Sequence, residues 1–231
     1  MRISTWVVAV AGVLAMSAPV AAQTVRLDEG TFRLMLGGRE VGTETFSIRQ
    51  NGVGADAVII AQGRVVLDAN GGTEVIANVQ FAGASLRAVA YDLELRGSDA
   101  RRMRGSVTGS RAAARMTSPA GETMREYLVT DGAVVVDDGV AHHYYFIAMR
   151  FAAGATAVPI MNPRESRQVQ ATIRAAGEES VSAGGTTVRA RRLDVQPAGG
   201  DARSVWIDGE GRVLRVEIPA RNYVAVRTTL P

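Results

Sequence analysis

The densest knot of titratable side chains in this chain is Asp137, Asp138, His142 and His143, and the two histidines are the only ones present. Adjacent residues of a helix project about 100° apart. That differs from the i, i+4 pair that closes on one zinc ion, so a metal centre would need further ligands such as Asp137 or Asp138. Otherwise one ring packs and the other caps the helix or faces water. Serine nucleophile signatures are missing: Gly83-Ala84-Ser85 and Thr108-Gly109-Ser110 lack the second glycine of a G-x-S-x-G elbow. Gly37-Gly38 and Gly184-Gly185 lead into no helix and carry no Lys-Ser/Thr tail, so they read as turns, not phosphate loops. The chain has no cysteine, which removes disulfides, thiolate nucleophiles and Cys-based zinc or iron–sulfur sites. No cofactor signature is present, and no catalytic or metal-ligating set emerges. An enzyme, hydrolytic or metal-dependent, would rest on His142 and His143 alone.

All 26 basic residues are arginine, yet the formal charge is only +3. Arginine stays protonated beyond pH 12, so a small excess raises the isoelectric point without creating a strong field. There is no basic run with interleaved aromatics, and no nucleic-acid partner is expected. Arg101, Arg102, Arg104, Arg111, Arg115 and Arg125 concentrate on one hairpin and its neighbour. They could form a rim for phosphate or carboxylate head groups. Their alternation with small residues favours the solvated face of exposed strands.

The elements that must position these groups are short strands. Arg2, the apolar run Trp6 to Met16 and the small-residue site Pro19-Val20-Ala21-Ala22 form an export signal, cleaved after Ala22. The apolar run is shorter than the about 20 residues that span a bilayer. The expected mature chain is one domain, residues 23–231, in the periplasm or secreted medium of a bacterium. From Thr31 onward, β-prone runs alternate with turns such as Asn51-Gly52, Asp131-Gly132 and Asp208-Gly209. About a dozen runs are expected, among them Ala55 to Val66, Thr73 to Phe81, Arg167 to Ala175 and Val213 to Ile218. In Leu86 to Arg96, the residues Val89, Tyr91, Leu93 and Leu95 share one face. Successive hairpins imply an antiparallel meander with no βαβ crossover. One segment differs. Val140 to Phe151 contains no turn residue, follows Asp137-Asp138-Gly139 and carries Arg150 in its last turn, the start and stop signals of a helix. Val140, Tyr144, Ile147 or Ala148, and Phe151 form one apolar stripe, and Tyr145, Phe146 and Met149 a second, so the helix should be covered on two sides.

Two hairpins carry a family likeness. Phe32, Gly38, Gly42, Glu44, Phe46 and Ile48 form F-x5-G-x3-G-x-E-x-F-x-I, and Trp206 to Glu217 form W-x-D-x-x-G-x-x-x-R-x-E. Both patterns resemble a class of uncharacterised exported bacterial β-proteins, and the outline resembles the lipoprotein-localisation-factor type of open β-barrel. That resemblance implies a mainly β fold, an open or half-closed barrel wrapped on one central helix, able to hold a lipid or acyl chain. It transfers no catalytic residue. The leading expectation is a non-enzymatic protein binding an apolar or amphiphilic ligand between sheet and helix, lined by Tyr91, Leu93, Tyr144, Phe146, Met149 and Trp206. The rival is the same fold with a filled core, serving as an envelope scaffold that contacts membrane surface or envelope proteins. An outer-membrane barrel is disfavoured, because aromatics make up 5% of the chain and its last residues are Leu230-Pro231.

Overall fold

The computed structural model describes residues 24–68, 72–83 and 85–230. The expected signal segment and its cleavage site lie outside them. Alternation of apolar and polar residues, punctuated by turns, produces fifteen strands: β1 (Thr24–Leu36), β2 (Arg39–Asn51), β3 (Val58–Leu67), β4 (Thr73–Ala82), β5 (Arg87–Arg96), β6 (Arg101–Thr108), β7 (Arg111–Ser118), β8 (Gly121–Leu128), β9 (Val134–Val135), β10 (Ala157–Asn162), β11 (Arg167–Ala183), β12 (Thr186–Pro197), β13 (Arg203–Ile207), β14 (Val213–Ile218) and β15 (Tyr223–Arg227). One helix, α1 (Tyr144–Ala152), follows a 3-10 turn at Ala141–His143. The strands form one sheet in the order β8-β7-β6-β5-β4-β3-β2-β1-β15-β14-β13-β12-β11-β10-β9. The first and last strands meet in its middle, Phe32 opposite Arg227. The sheet curls around α1 without closing, as a half-closed barrel. Near the two edges Thr130 donates its N–H to Gln168 Oε1 at 2.7 Å, and Gln168 donates back to Thr130 Oγ1 at 2.8 Å.

The inward rows obey the period of two that a strand imposes. Phe46 and Ile48 on β2, Ile59, Ala61 and Val65 on β3, and Val75, Ala77, Val79 and Phe81 on β4 enter one core with the buried helix residues Tyr144 to Ala148. Phe146 stacks on Phe81 with ring centroids 4.0 Å apart. The helix ends where Gly154 takes φ +90°, and Ala153 and Ala155 return N–H bonds to Met149 and Arg150. Arg150 then reaches out to the carbonyls of Ser85 and Leu86 at 2.9 and 2.8 Å.

Three expectations need correction. The meander is not purely antiparallel: β9 and β10 pair in parallel, Ile160 opposite Val134, with α1 as their crossover. A two-residue strand is too short to leave a periodic signal. Along β5, Tyr91, Leu93 and Leu95 point inward as expected, but Val89 is only half-buried and Ala88 takes the core place. The register slips by one between Gln80 and Phe81 of β4, leaving Val89 as the extra residue of a bulge. Finally, Trp206 lies outside the main core. Val205 and Ile207 turn into it, and Trp206 packs on the opposite face with Val181, Ala183, Ala190 and Leu214. The far half of the β11–β12 hairpin supplies that cover, folding over β14 and β15 beyond a register shift at Ala175/Glu178, and Gly184 donates to the Arg227 carbonyl at 3.0 Å.

Candidate functional site

Helix α1 begins without a cap of its own, because Val140 offers no side-chain acceptor to the 3-10 turn. The acceptor comes from β2. Glu44 has the same strand parity as Phe46 and Ile48, so its carboxylate points inward, where it is fully buried. Its Oε2 accepts the Ala141 N–H at 2.7 Å, and its Oε1 accepts the His142 N–H at 3.0 Å. The His142 ring nitrogen Nδ1 lies 2.6 Å from Oε1. Because a carboxylate only accepts, that contact assigns the proton to Nδ1 of His142. A negative charge at a helix start is also favoured by the helix dipole. The ring stacks on Phe46 at 5.6 Å and lies against Gly63 of β3, where a Cβ would stand 2.4 Å from its Cε1. Only glycine leaves room for the imidazole there.

His143 is wired differently. Its Nδ1 accepts the Asp137 N–H at 3.1 Å, which assigns the proton to Nε2. Burial, then the neighbouring His142, holds its basicity well below the usual histidine range, so the ring is neutral. Burial pushes the Asp137 carboxyl up to about 6, against the pull of Arg164, whose Nε donates to Asp137 Oδ2 at 3.0 Å. Oδ1 of Asp137 and Nε2 of both histidines are buried without a partner. Among the described residues no group of three His, Cys, Asp or Glu side chains stands close enough to hold a metal ion. The structure therefore gives His142 a place in capping and packing, joined to an acid, Glu44, that spacing alone had not tied to it.

The expected lining residues divide into two sets. Tyr91, Leu93, Tyr144 and Phe146 are buried in the main core, and Met149 is half-buried against it. Trp206 stands apart on the outer face. There its Nε1 donates to Glu179 at 3.0 Å, and the Arg192 and Arg215 guanidiniums lie 5.6 and 5.4 Å from its ring centre. None of the five principal cavities of the described residues is lined by any of these six side chains. The Arg101 to Arg125 group decorates outer strand surface: Arg102 and Arg104 reach Asp92 at 2.8 and 3.2 Å, and Arg115 reaches Glu122 at 3.3 Å. Such exposed pairs contribute little.

Reasoning from the sequence missed two buried arginines. Arg227 clasps Asp28 with two bonds of 2.9 and 2.6 Å, and its remaining N–H groups reach the carbonyls of Thr229, Val213 and Glu29. It joins the first strand to the last. Arg203 opens β13 on the parity of Val205 and Ile207, so it too faces inward, with its guanidinium 5.9 Å from the Tyr144 ring centre. It borders a cleft of about 150 Å³ at the mouth of the barrel, floored by Val136, Ile160, Val169 and Pro197. Strand parity was the signal for both.

Neither a family model nor a curated protein matches the chain. Among solved structures, the chain is similar to the crystal structure of a β-barrel-like protein of the domain of unknown function DUF1849 from Brucella abortus, with a TM-score of 0.57 and 10% identity over 90% of this chain and 96% of that one. At that identity the likeness is one of fold: this chain shares a β-barrel-like architecture with a bacterial protein of unknown function.

Proposed function

We propose that this protein works by binding rather than by chemistry, as an exported envelope protein whose barrel is filled by its own helix and whose contacts with other molecules are made at its mouth and outer surface. One observation carries the reading. Tyr91, Leu93, Tyr144 and Phe146, which would line a lipid between sheet and helix, are buried together in the main core, Phe146 stacked on Phe81, and none of the five cavities described above opens on them. An acyl chain would have to displace that packing, and the dispersion and burial it contributes, before gaining its own. The export part of the proposal rests on the charged, apolar and small-residue pattern of residues 1–22.

The test is a fluorescent acyl probe titrated into the mature chain and its Phe146→Ala and Met149→Ala variants. A filled interior gives no saturable uptake by the wild type. Phe146→Ala then costs about 3–5 kcal/mol of stability through lost burial and a new void, and Met149→Ala, half-buried, costs less. Saturable uptake by the wild type that Phe146→Ala alters more than it alters thermal stability would overturn the filled reading in favour of an acyl carrier of the localisation-factor type.

A further inference from the structure

We propose that the cleft at the barrel mouth is a binding site for a small organic monocarboxylate, with Arg203 as the residue that receives its carboxylate. The inference rests on reading the protein as a binding protein and names the chemistry its mouth would take.

The two inward arginines make an internal comparison. The structural guanidinium of Arg227 is met by both oxygens of Asp28 and by three carbonyls. Arg203 is only 8% exposed, yet it joins no ion pair and donates no side-chain hydrogen bond among the described residues, and its Nε is buried without a partner. Its one compensation is the face of Tyr144. Burying an unpaired charge is costly. The acids around the cleft are already engaged. Asp138 and Asp201 share Arg221 at 3.0 and 2.6 Å, and Glu165 is held by Arg167. The counter-charge that Arg203 lacks would then arrive with a ligand in the cleft.

The surroundings narrow that ligand. A guanidinium presents a planar fork that matches a carboxylate in two parallel bonds. With two carboxylates sharing one arginine at the rim, a dianion such as phosphate would meet repulsion that a monoanion largely escapes. The floor of Val136, Ile160, Val169 and Pro197 suits a short hydrocarbon body, and about 150 Å³ sets its size at a few carbons. Such a volume holds a molecule of about benzene's size.

The experiment uses the mature wild-type chain, followed by the Arg side-chain N–H and valine methyl resonances during titration with isovalerate. Isovaleramide and inorganic phosphate serve as parallel titrants. The expected result is saturable shifts at the Arg203 Nε–H and at Val136 and Val169 with isovalerate, with the neutral amide and phosphate weaker by about tenfold or more, as the loss of a charge-assisted bond implies. Arg203→Met should abolish the isovalerate shifts, while unchanged His142 ring signals report an intact fold. Equal binding of amide and carboxylate, tighter binding of phosphate, or no shift at these residues would each overturn the assignment. These wild-type titrations stand whether or not the variant folds. Failure here leaves the filled-barrel reading intact, since only acyl-probe uptake bears on that.

Discussion

Replacing Glu44 tests whether one carboxylate on β2 holds the start of the helix. In Glu44→Ala three buried donors lose their acceptor: the Ala141 and His142 N–H groups and the His142 Nδ1–H. Each unpaired buried donor costs about 1–3 kcal/mol. The favourable placement of negative charge at the helix start adds up to about 2 kcal/mol in a buried setting. Against this, the variant no longer buries a carboxylate, which returns several kcal/mol of desolvation. A net loss of about 3–5 kcal/mol remains, a large share of the roughly 5–15 kcal/mol that holds a domain together. For a domain of this length that lowers the melting temperature by roughly 6–20 °C. Glu44→Gln keeps an accepting oxygen but turns an amide NH2 toward a donor, so its loss should fall between wild type and alanine. Far-UV circular dichroism through urea unfolding gives the ranking, and the ring 15N shifts of His142 report its tautomer. Losses below about 1 kcal/mol in both variants, or a His142 tautomer unchanged in Glu44→Ala, would refute the cap.

Asp137 and His143 should shape the acid side of the stability curve in opposite directions. The folded carboxyl, raised to about 6 from 3.8, binds its proton more tightly than the unfolded one, so its contribution is full below pH 4 and is lost as pH rises through 6. His143, held neutral by burial, stabilises above about pH 6.5 and loses that contribution as pH falls below it. Asp137→Asn should therefore steepen the fall in melting temperature between pH 6.5 and 4, and His143→Asn should flatten or reverse it; profiles parallel to wild type in both would show that neither titration is coupled to folding. Arg227→Met strands the Asp28 carboxylate in the interior and should cost about 3–5 kcal/mol in urea unfolding, with Arg227→Lys rescuing little because it lacks the fork. Adding Asp28→Asn to Arg227→Met should recover part of that loss, and strictly additive losses would contradict a coupled pair.

Much of this fold is legible in the sequence. Turn residues and alternation locate β4, β5 and β14 to within a residue or so, and Val140 to Phe151, marked by its lack of turn residues, contains the 3-10 turn Ala141–His143 and most of α1, the α-helix itself starting later, at Tyr144. The candidate site was harder, because hydrophobic character and parity disagree at the residues that matter. Glu44 looks outward by chemistry and lies inward by its step of two from Phe46 and Ile48; Arg203 does the same beside Val205 and Ile207. Trp206 is the converse, apolar yet outward, and a covering hairpin supplies the burial that its composition demanded. Parity could have found all three, since a strand offers no third direction. Parity turns Arg227 inward as well but does not give its pairing with Asp28, because the two lie on strands at opposite ends of the chain whose adjacency only the sheet order reveals.

The buried polar contacts also explain how an open sheet keeps its curl. In a closed barrel the edge strands hydrogen-bond to each other, and that ladder maintains curvature. Here β8 and β9 end the sheet at opposite edges, so another element must hold the walls. The crossover helix is fastened covalently to one wall by β9 and β10. Its start is gripped from well across the sheet order by Glu44 and Phe46 of β2 and by the space that Gly63 leaves on β3, and its middle by Phe81 of β4. It therefore acts as a strut between walls that do not close on each other. A strut of this kind has to stay seated for the sheet to stay curved, and this is why we propose the mouth, where the Arg203 Nε is buried without a partner, rather than the interior as the place where another molecule binds without dismantling the fold.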